Sequence, residues 1–206
     1  MKRITSVVAA GAALMVLGAC GGGSDDAAPR ATPAGSTAAA STTPPAPASA
    51  EFNDTDVMFA QMMIPHHRQA VDMAKLVEGR AADPEVTALA AAIRTAQDAE
   101  IQTMATWLTT WGEKVPTGSM PGMDHAGHGM PGMMSDADMA RLRSLSGRAF
   151  DRQWLTMMIS HHEGAILMAQ GEQVSGENPE AVALAEKIEA DQKAEITTMR
   201  GLLGRA

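Results

Sequence analysis

Apolar positions recur at helical spacing from residue 59 onward. Phe59, Met62, Ala70, Met73 and Val77 fall in one stripe with His66 among them. At about 100° per residue these positions share a face. The spacing therefore predicts an amphipathic helix that ends near Gly79. Asp83-Pro84 reads as an N-cap followed by proline at the first helical position, which starts a second helix. Its stripe is Val86, Ala90, Ile93, Gln97, Glu100 with Ile101, Met104 and Leu108. Met63 and His67 fall at the edge of the first stripe, while Gln97 and Met104 lie in the middle of the second.

The same pattern returns 95 residues later. Met62-Met63-Ile64-Pro65-His66-His67 reappears as Met157-Met158-Ile159-Ser160-His161-His162. Without a gap, Asp56 maps to Asp151, Met73 to Met168, Pro84 to Pro179, Gln97 to Gln192, Glu100 to Glu195 and Met104 to Met199. This is an internal duplication of one helical hairpin. Gly171 to Gly176 mark the break between the helices of the second copy, and Asn178-Pro179 starts its second helix. Short connections make neighbouring helices antiparallel, so two hairpins predict an all-α, up-down four-helix bundle. The hairpins are expected at 52–112 and 136–206, joined by one long loop at 113–135.

The first fifty residues cannot join that core. Lys2 and Arg3 precede a short apolar run, and Leu17-Gly18-Ala19-Cys20 follows. This is the form of a lipoprotein signal peptide over 1–19, with Cys20 as the acylated residue. The chain has one Cys, so its use there leaves the exported protein no free thiol. Residues 20–51 are rich in Gly, Ser, Thr, Ala and Pro and read as a disordered tether. The protein is therefore expected to be exported and held at the envelope by lipid rather than by a spanning helix.

Charge and composition narrow the functions. Against 16 Lys and Arg stand 24 Asp and Glu, a net charge of −8, which disfavours nucleic acid as a partner. A single Cys excludes a disulfide scaffold and a thiolate zinc site. No Glu has a His three residues later, so the di-iron pattern of four-helix bundles is missing. His-Glu-x-x-His, Gly-x-Ser-x-Gly and Walker sequences are missing too, leaving peptidase, hydrolase and nucleotide readings without a carrier.

What remains is a set of polar groups on faces that should be apolar. Imidazole, carboxylate and amide buried without partners would cost several kcal/mol each. One reading is structural, with His–Glu pairs fixing register and methionines filling the core. The other is a metal site. Neutral imidazole and thioether together suit a soft ion, above all Cu(I), and they suit an oxidising compartment. On that reading His66 and His161 are principal ligands. Met62, Met63, Met73, Met104, Met157, Met158, Met168 and Met199 supply thioethers. His67 and His162 are weaker ligands or outer donors. Glu100 and Glu195 bind directly or orient the imidazoles, as do Gln97 and Gln192 from outside the ligand set. The duplication allows two equivalent sites or one shared site on the pseudo-two-fold axis. A metal-dependent enzyme would also need an open ligand position and a substrate cleft, and no residue pattern marks one.

The loop adds an independent signal. Met120, Met123, His125, His128, Met130, Met133 and Met134 lie among Gly and Pro within fifteen residues. Such a segment reads as solvated and suited to soft-metal capture.

The paired runs Met-Met-Ile-Pro-His66-His67-x-x-Ala70-x-x-Met73-Ala74 and Gln97-x-x-Glu100-Ile101-x-x-Met104, each present twice, resemble the secreted bacterial family known as domain of unknown function 305. The likeness covers about residues 52 to 204. It implies a ferritin-like four-helix bundle exported to the envelope, and a link to copper binding and tolerance in some members. The family's His-His, Met and Gln-x-x-Glu-Ile-x-x-Met positions fall on the residues above. One departure is Pro65, which becomes Ser160 in the second copy and removes a helical donor from the first. Copper is thus the expected ion, for buffering, sequestration or delivery. A copper donor or acceptor protein and a second copy of the chain are compatible partners. A metal-free helical module of the envelope is the alternative.

Overall fold

Helix-start chemistry repeats at the second helix of each hairpin, whereas the first helix has a side-chain cap only in the first copy. The computed structural model describes residues 51–117 and 130–205. The expected signal peptide, Cys20, all but the last residue of the tether, and Met120, Met123, His125 and His128 lie outside the described residues. Five helices and no strands occur among the described residues: α1 Asp54–Lys75, α2 Pro84–Thr110, α3 Asp136–Ser144, α4 Gly147–Ser175 and α5 Pro179–Leu203. Asn53 and Asp56 form a reciprocal capping box on α1. Asp83 and Asn178 cap α2 and α5, each followed by proline at the first turn.

The hairpins α1–α2 and α4–α5 are the two repeats, and they pack mainly through α1 against α4. Three details differ from the sequence expectation. A short helix, α3, precedes the second repeat, started by a Ser135–Asp138 capping box. Gly171 lies inside α4, which runs on to Ser175. The end of the linker is also not fully solvated, because Met130 is buried and Met134 packs on the core.

Each hairpin is latched to the other by one buried carboxylate. Asp56 near the start of α1 accepts the Glu177 and Asn178 amides at the α4–α5 turn, at 3.2 and 2.9 Å. Its repeat equivalent, Asp151, accepts the Ala82 and Asp83 amides at the α1–α2 turn, at 3.1 and 3.0 Å. A carboxylate that meets amides at a helix start gains from both the charge-assisted bonds and the helix dipole. Burial pushes the Asp56 carboxyl up, but its hydrogen bonds outweigh this and hold it below the usual carboxylate range.

The apolar core falls into two clusters. One contains Met73, Ile93, Phe150, Trp154, Leu155, Met157, Met158 and Met199. The other contains Phe59, Met63, Ile64, Met104, Leu108 and Ile188. On α1, residues 59–64 belong to the second cluster and residues 70–77 to the first, with His66 and His67 between them. On α2, Gln97 and Glu100 stand in the same way between Ile93 and Met104. Gln192 and Glu195 do so on α5, between Ile188 and Ile196. A polar layer thus crosses the bundle at mid-height.

Candidate metal centre

Four histidines form the middle of that layer, and all four are 0% exposed. The rings of His66 and His161 meet across the α1–α4 seam with centroids 3.8 Å apart. They are repeat equivalents, so the pair sits where a pseudo-two-fold axis relates the hairpins. His67 and His162 lie 6.5 Å from their neighbours, centroid to centroid. The edge positions read from the helical wheel are therefore interior. His67 Nε2 donates to Glu100 Oε2 at 3.0 Å, and His162 Nε2 donates to Glu195 Oε2 at 2.7 Å. A carboxylate behind an imidazole fixes its tautomer and ring orientation.

The linker closes the α1–α4 side. Met130 O accepts from Met133 N at 3.2 Å, with Pro131 and Gly132 as the central residues of the turn. Gly132 has φ +76°, as a type II turn requires at that position. His66 Nε2 donates to the Pro131 carbonyl at 3.0 Å. Gln69 holds Met134 by two bonds, 2.8 Å from its amide nitrogen and 2.7 Å to its amide oxygen. Opposite Gln69, the repeat-equivalent position on α4 is Gly164. A Cβ there would overlap the Pro131 carbonyl. One copy therefore grips this strap and the other leaves it room.

These bonds decide which imidazole nitrogens remain free. Nδ1 of His66, His67 and His162 has no protein partner, and neither nitrogen of His161 has a well-aligned one. The Oε1 atoms of Gln97 and Gln192 are also buried and unpartnered. Burial first, then the charge of His67, pushes His66 down to about 3. Burial and the neighbouring imidazoles push His161 well below its usual range. At neutral pH both rings are uncharged, the form in which a nitrogen lone pair can bind a metal. Glu100, pushed up by burial, is held below the usual range by His67 and Lys187.

The methionines line both sides of the layer unevenly. Met63, Met73, Met104, Met157, Met158 and Met199 are buried, while Met62 and Met168 are half-buried. The wheel put Met62 nearer the centre than Met63. The order reverses because α1 is covered by α2 on one side and α4 on the other. Its buried arc is wider than one stripe and centred towards Met63 and His67. Of the loop residues, Met130 is buried and Met133 and Met134 are half-buried. Among the described residues no three His, Asp and Glu side chains cluster as a metal-holding group. The centre is an imidazole pair flanked by thioether-bearing turns, not a carboxylate cage.

Sequence reasoning missed Asp56, Asp151, Gln69, Gly164 and Glu172 as working residues. The first two were visible as a repeat-matched pair. Gln69 and Gly164 were visible only as a mismatch. Glu172 is 1% exposed, donates from its protonated carboxyl to the Asp56 carboxylate, and stands where the first copy has Val77. Burial and then the adjacent Asp56 push its pKa up to about 8.

These shifts set a pH dependence with opposite signs on its two flanks. An unfolded imidazole takes a proton below about 6.5, whereas folded His66 and His161 do not. The unfolded state then binds more protons, and stability falls towards acid by about 1.4 kcal/mol per pH unit for each ring. Folded Glu172 keeps its proton up to about 8, whereas the unfolded residue releases it near 4.5, so stability falls as pH rises through that window. The melting temperature is expected to peak near pH 6.5. Glu172→Val is expected to remove the alkaline fall and to steepen the acid flank between about pH 4.5 and 6.5. A parent profile that stays level from pH 6.5 to 8.5 would contradict this assignment.

A family profile described as a domain of unknown function, DUF305, matches residues 56–203. The chain belongs to that family. It is 36% identical to a DUF305 protein from Streptomyces coelicolor described as secreted, with a TM-score of 0.65 over 73% of this chain and 93% of that one. A DUF305 fragment from Deinococcus radiodurans matches at 34% identity and a TM-score of 0.66, over 75% and 98%. CopM in its Cu(II)-bound form matches at 37% identity and a TM-score of 0.64, over 73% and 96%. CopM has also been solved with Cu(I), with silver and in the apo form. No curated protein matches the chain.

Proposed function

We propose, with membership of the DUF305 family as the premise, that this protein binds copper outside the cytoplasm, chiefly as Cu(I), and buffers or delivers it. The observation that carries the reading is the buried pair His66 and His161, uncharged, with Nδ1 of His66 and both ring nitrogens of His161 lacking a well-aligned partner. Leaving such groups desolvated has a cost, and a soft monovalent ion removes it. The buried thioethers one or two turns away belong to the same ligand class. Glu100 and Glu195, acting through His67 and His162, balance the charge of an arriving cation. CopM crystallised with Cu(I), Cu(II) and silver supports the choice of ion.

The finer parts of the proposal follow the sequence. Cys20 carries the lipid, residues 20–51 hold the bundle away from the membrane, and Met120, Met123, His125 and His128 collect the ion ahead of the strap. The protein is a carrier rather than an enzyme. Anaerobic titration with Cu(I) against a chromophoric chelator tests the reading. At least one equivalent is expected to stay on the protein and to be displaced by Ag(I). Complete transfer of copper to the chelator would refute it.

A further inference from the structure

The opposite seam of the bundle is built from different chemistry. Helices α2 and α5 meet only lightly and leave a cleft of about 230 Å³. Its polar lining is Gln97, Glu100, Asp191, Gln192 and Glu195. Gln97 and Gln192 are 3% exposed, and the amide oxygen of each has no hydrogen-bond partner. No cationic side chain belongs to the lining. At the rim Lys187 places its ammonium 3.2 Å from Glu100 Oε1 and 2.6 Å from Asp191 Oδ2. Bonding to Asp191 and then Glu100 raises the lysine pKa.

We propose that this cleft is a second cation site, for a divalent ion that prefers oxygen ligands. Amide and carboxylate oxygens are hard donors, the class used for magnesium, manganese and calcium, whereas the imidazole and thioether groups are borderline and soft. The two buried amide oxygens have no donor, a lack that a cation or its bound water fills, and at the mouth an ammonium already sits on the Glu100 and Asp191 carboxylates. The space is enough for several waters at about 30 Å³ each. Among the described residues no three acidic or imidazole groups converge, so the ion keeps part of its hydration, as small divalent ions do. Lys187 has Ala92 as its repeat equivalent, which makes the mouth one-sided and the site single. Glu100 and Glu195 face the cleft while also bonding His67 and His162, so the two ion sites share a wall.

Manganese(II) is the probe, because loss of its free-ion paramagnetic resonance signal reports binding directly. The full chain is expected to bind one Mn(II). Asp191→Asn and Gln192→Leu are each expected to weaken it about tenfold, while Lys187→Met tightens it several-fold by removing the competing ammonium. Asp191→Asn should leave the Cu(I) titration unchanged. The proposal is overturned if no Mn(II) binds, if binding ignores Lys187→Met and Asp191→Asn, or if His161→Leu abolishes it. Because Mn(II) and Cu(I) are read separately, failure here is distinguishable from failure of the copper reading.

Discussion

A chain carrying leucine at position 161 is expected to fold more stably than the parent and to lose more than about a hundredfold in Cu(I) affinity. His161 is fully buried, and neither ring nitrogen has a well-aligned protein partner. A buried unsatisfied polar group costs about 1–3 kcal/mol, and leucine removes both nitrogens. The shape change costs less than about 1.5 kcal/mol in a core that can adjust. The net expectation is a gain of roughly 1 kcal/mol at pH 7. Altering a residue that only supports a ligand already costs about 10–100-fold in metal affinity, so loss of a principal ligand should exceed that. Urea unfolding and the chelator competition measure the two effects in one preparation. Lower stability with unchanged copper affinity would identify His161 as a structural residue. A gain in stability bought by loss of binding is the signature of a functional site.

The second large effect is at Gly164. Alanine there would overlap the Pro131 carbonyl, a backbone atom held by its own turn. The strap must lift, breaking the His66–Pro131 bond and the two Gln69–Met134 bonds. At about 1 kcal/mol net for each bond, offset by about 1 kcal/mol for replacing glycine inside a helix, the cost is roughly 2 kcal/mol. Gly171→Ala is the control. It lies in the same helix with nothing within 4 Å of the added carbon, so it is expected to stabilise by about 0.5–1 kcal/mol. With the strap lifted, His66 loses the bond that fixes its tautomer, and copper release should quicken about tenfold. Equal stability changes at the two glycines would show that the strap is not seated as described.

The fold was legible because a duplication needs little interpretation. His66 and His161, separated by 95 residues, follow the same Met-Met-Ile run and precede the same Ala and Met positions, and Asp83-Pro84 and Asn178-Pro179 mark the same helix start twice. The interior placement of Gln97 and Gln192 followed from the same periodicity. The phase of the first stripe did not. A helical wheel finds a mean apolar direction, but α1 touches two neighbours, so Met63 and His67 are buried as deeply as His66. Contacts between the copies were also hidden. Nothing in the local sequence of Asp56 shows that it caps a turn more than a hundred residues away. The strap was misread because Met130-Pro131-Gly132 has the composition of a free loop. Its docking depends on a glycine in α4 that, as a lone helical glycine, carries no message. Gly171, a true bystander, looked like a helix end for the same reason.

The central claim is that the axial imidazoles, not the methionine-rich loop alone, hold the ion. Nitrogen-15 spectra of the histidine side chains, recorded as one equivalent of Ag(I) is added, test it most directly. The account predicts that Nδ1 of His66 and a ring nitrogen of His161 move together with the first equivalent, while the Nε2 atoms bonded to Glu100 and Glu195 keep their donor signature. Ring signals that stay in place while only methionine methyl resonances shift would contradict it.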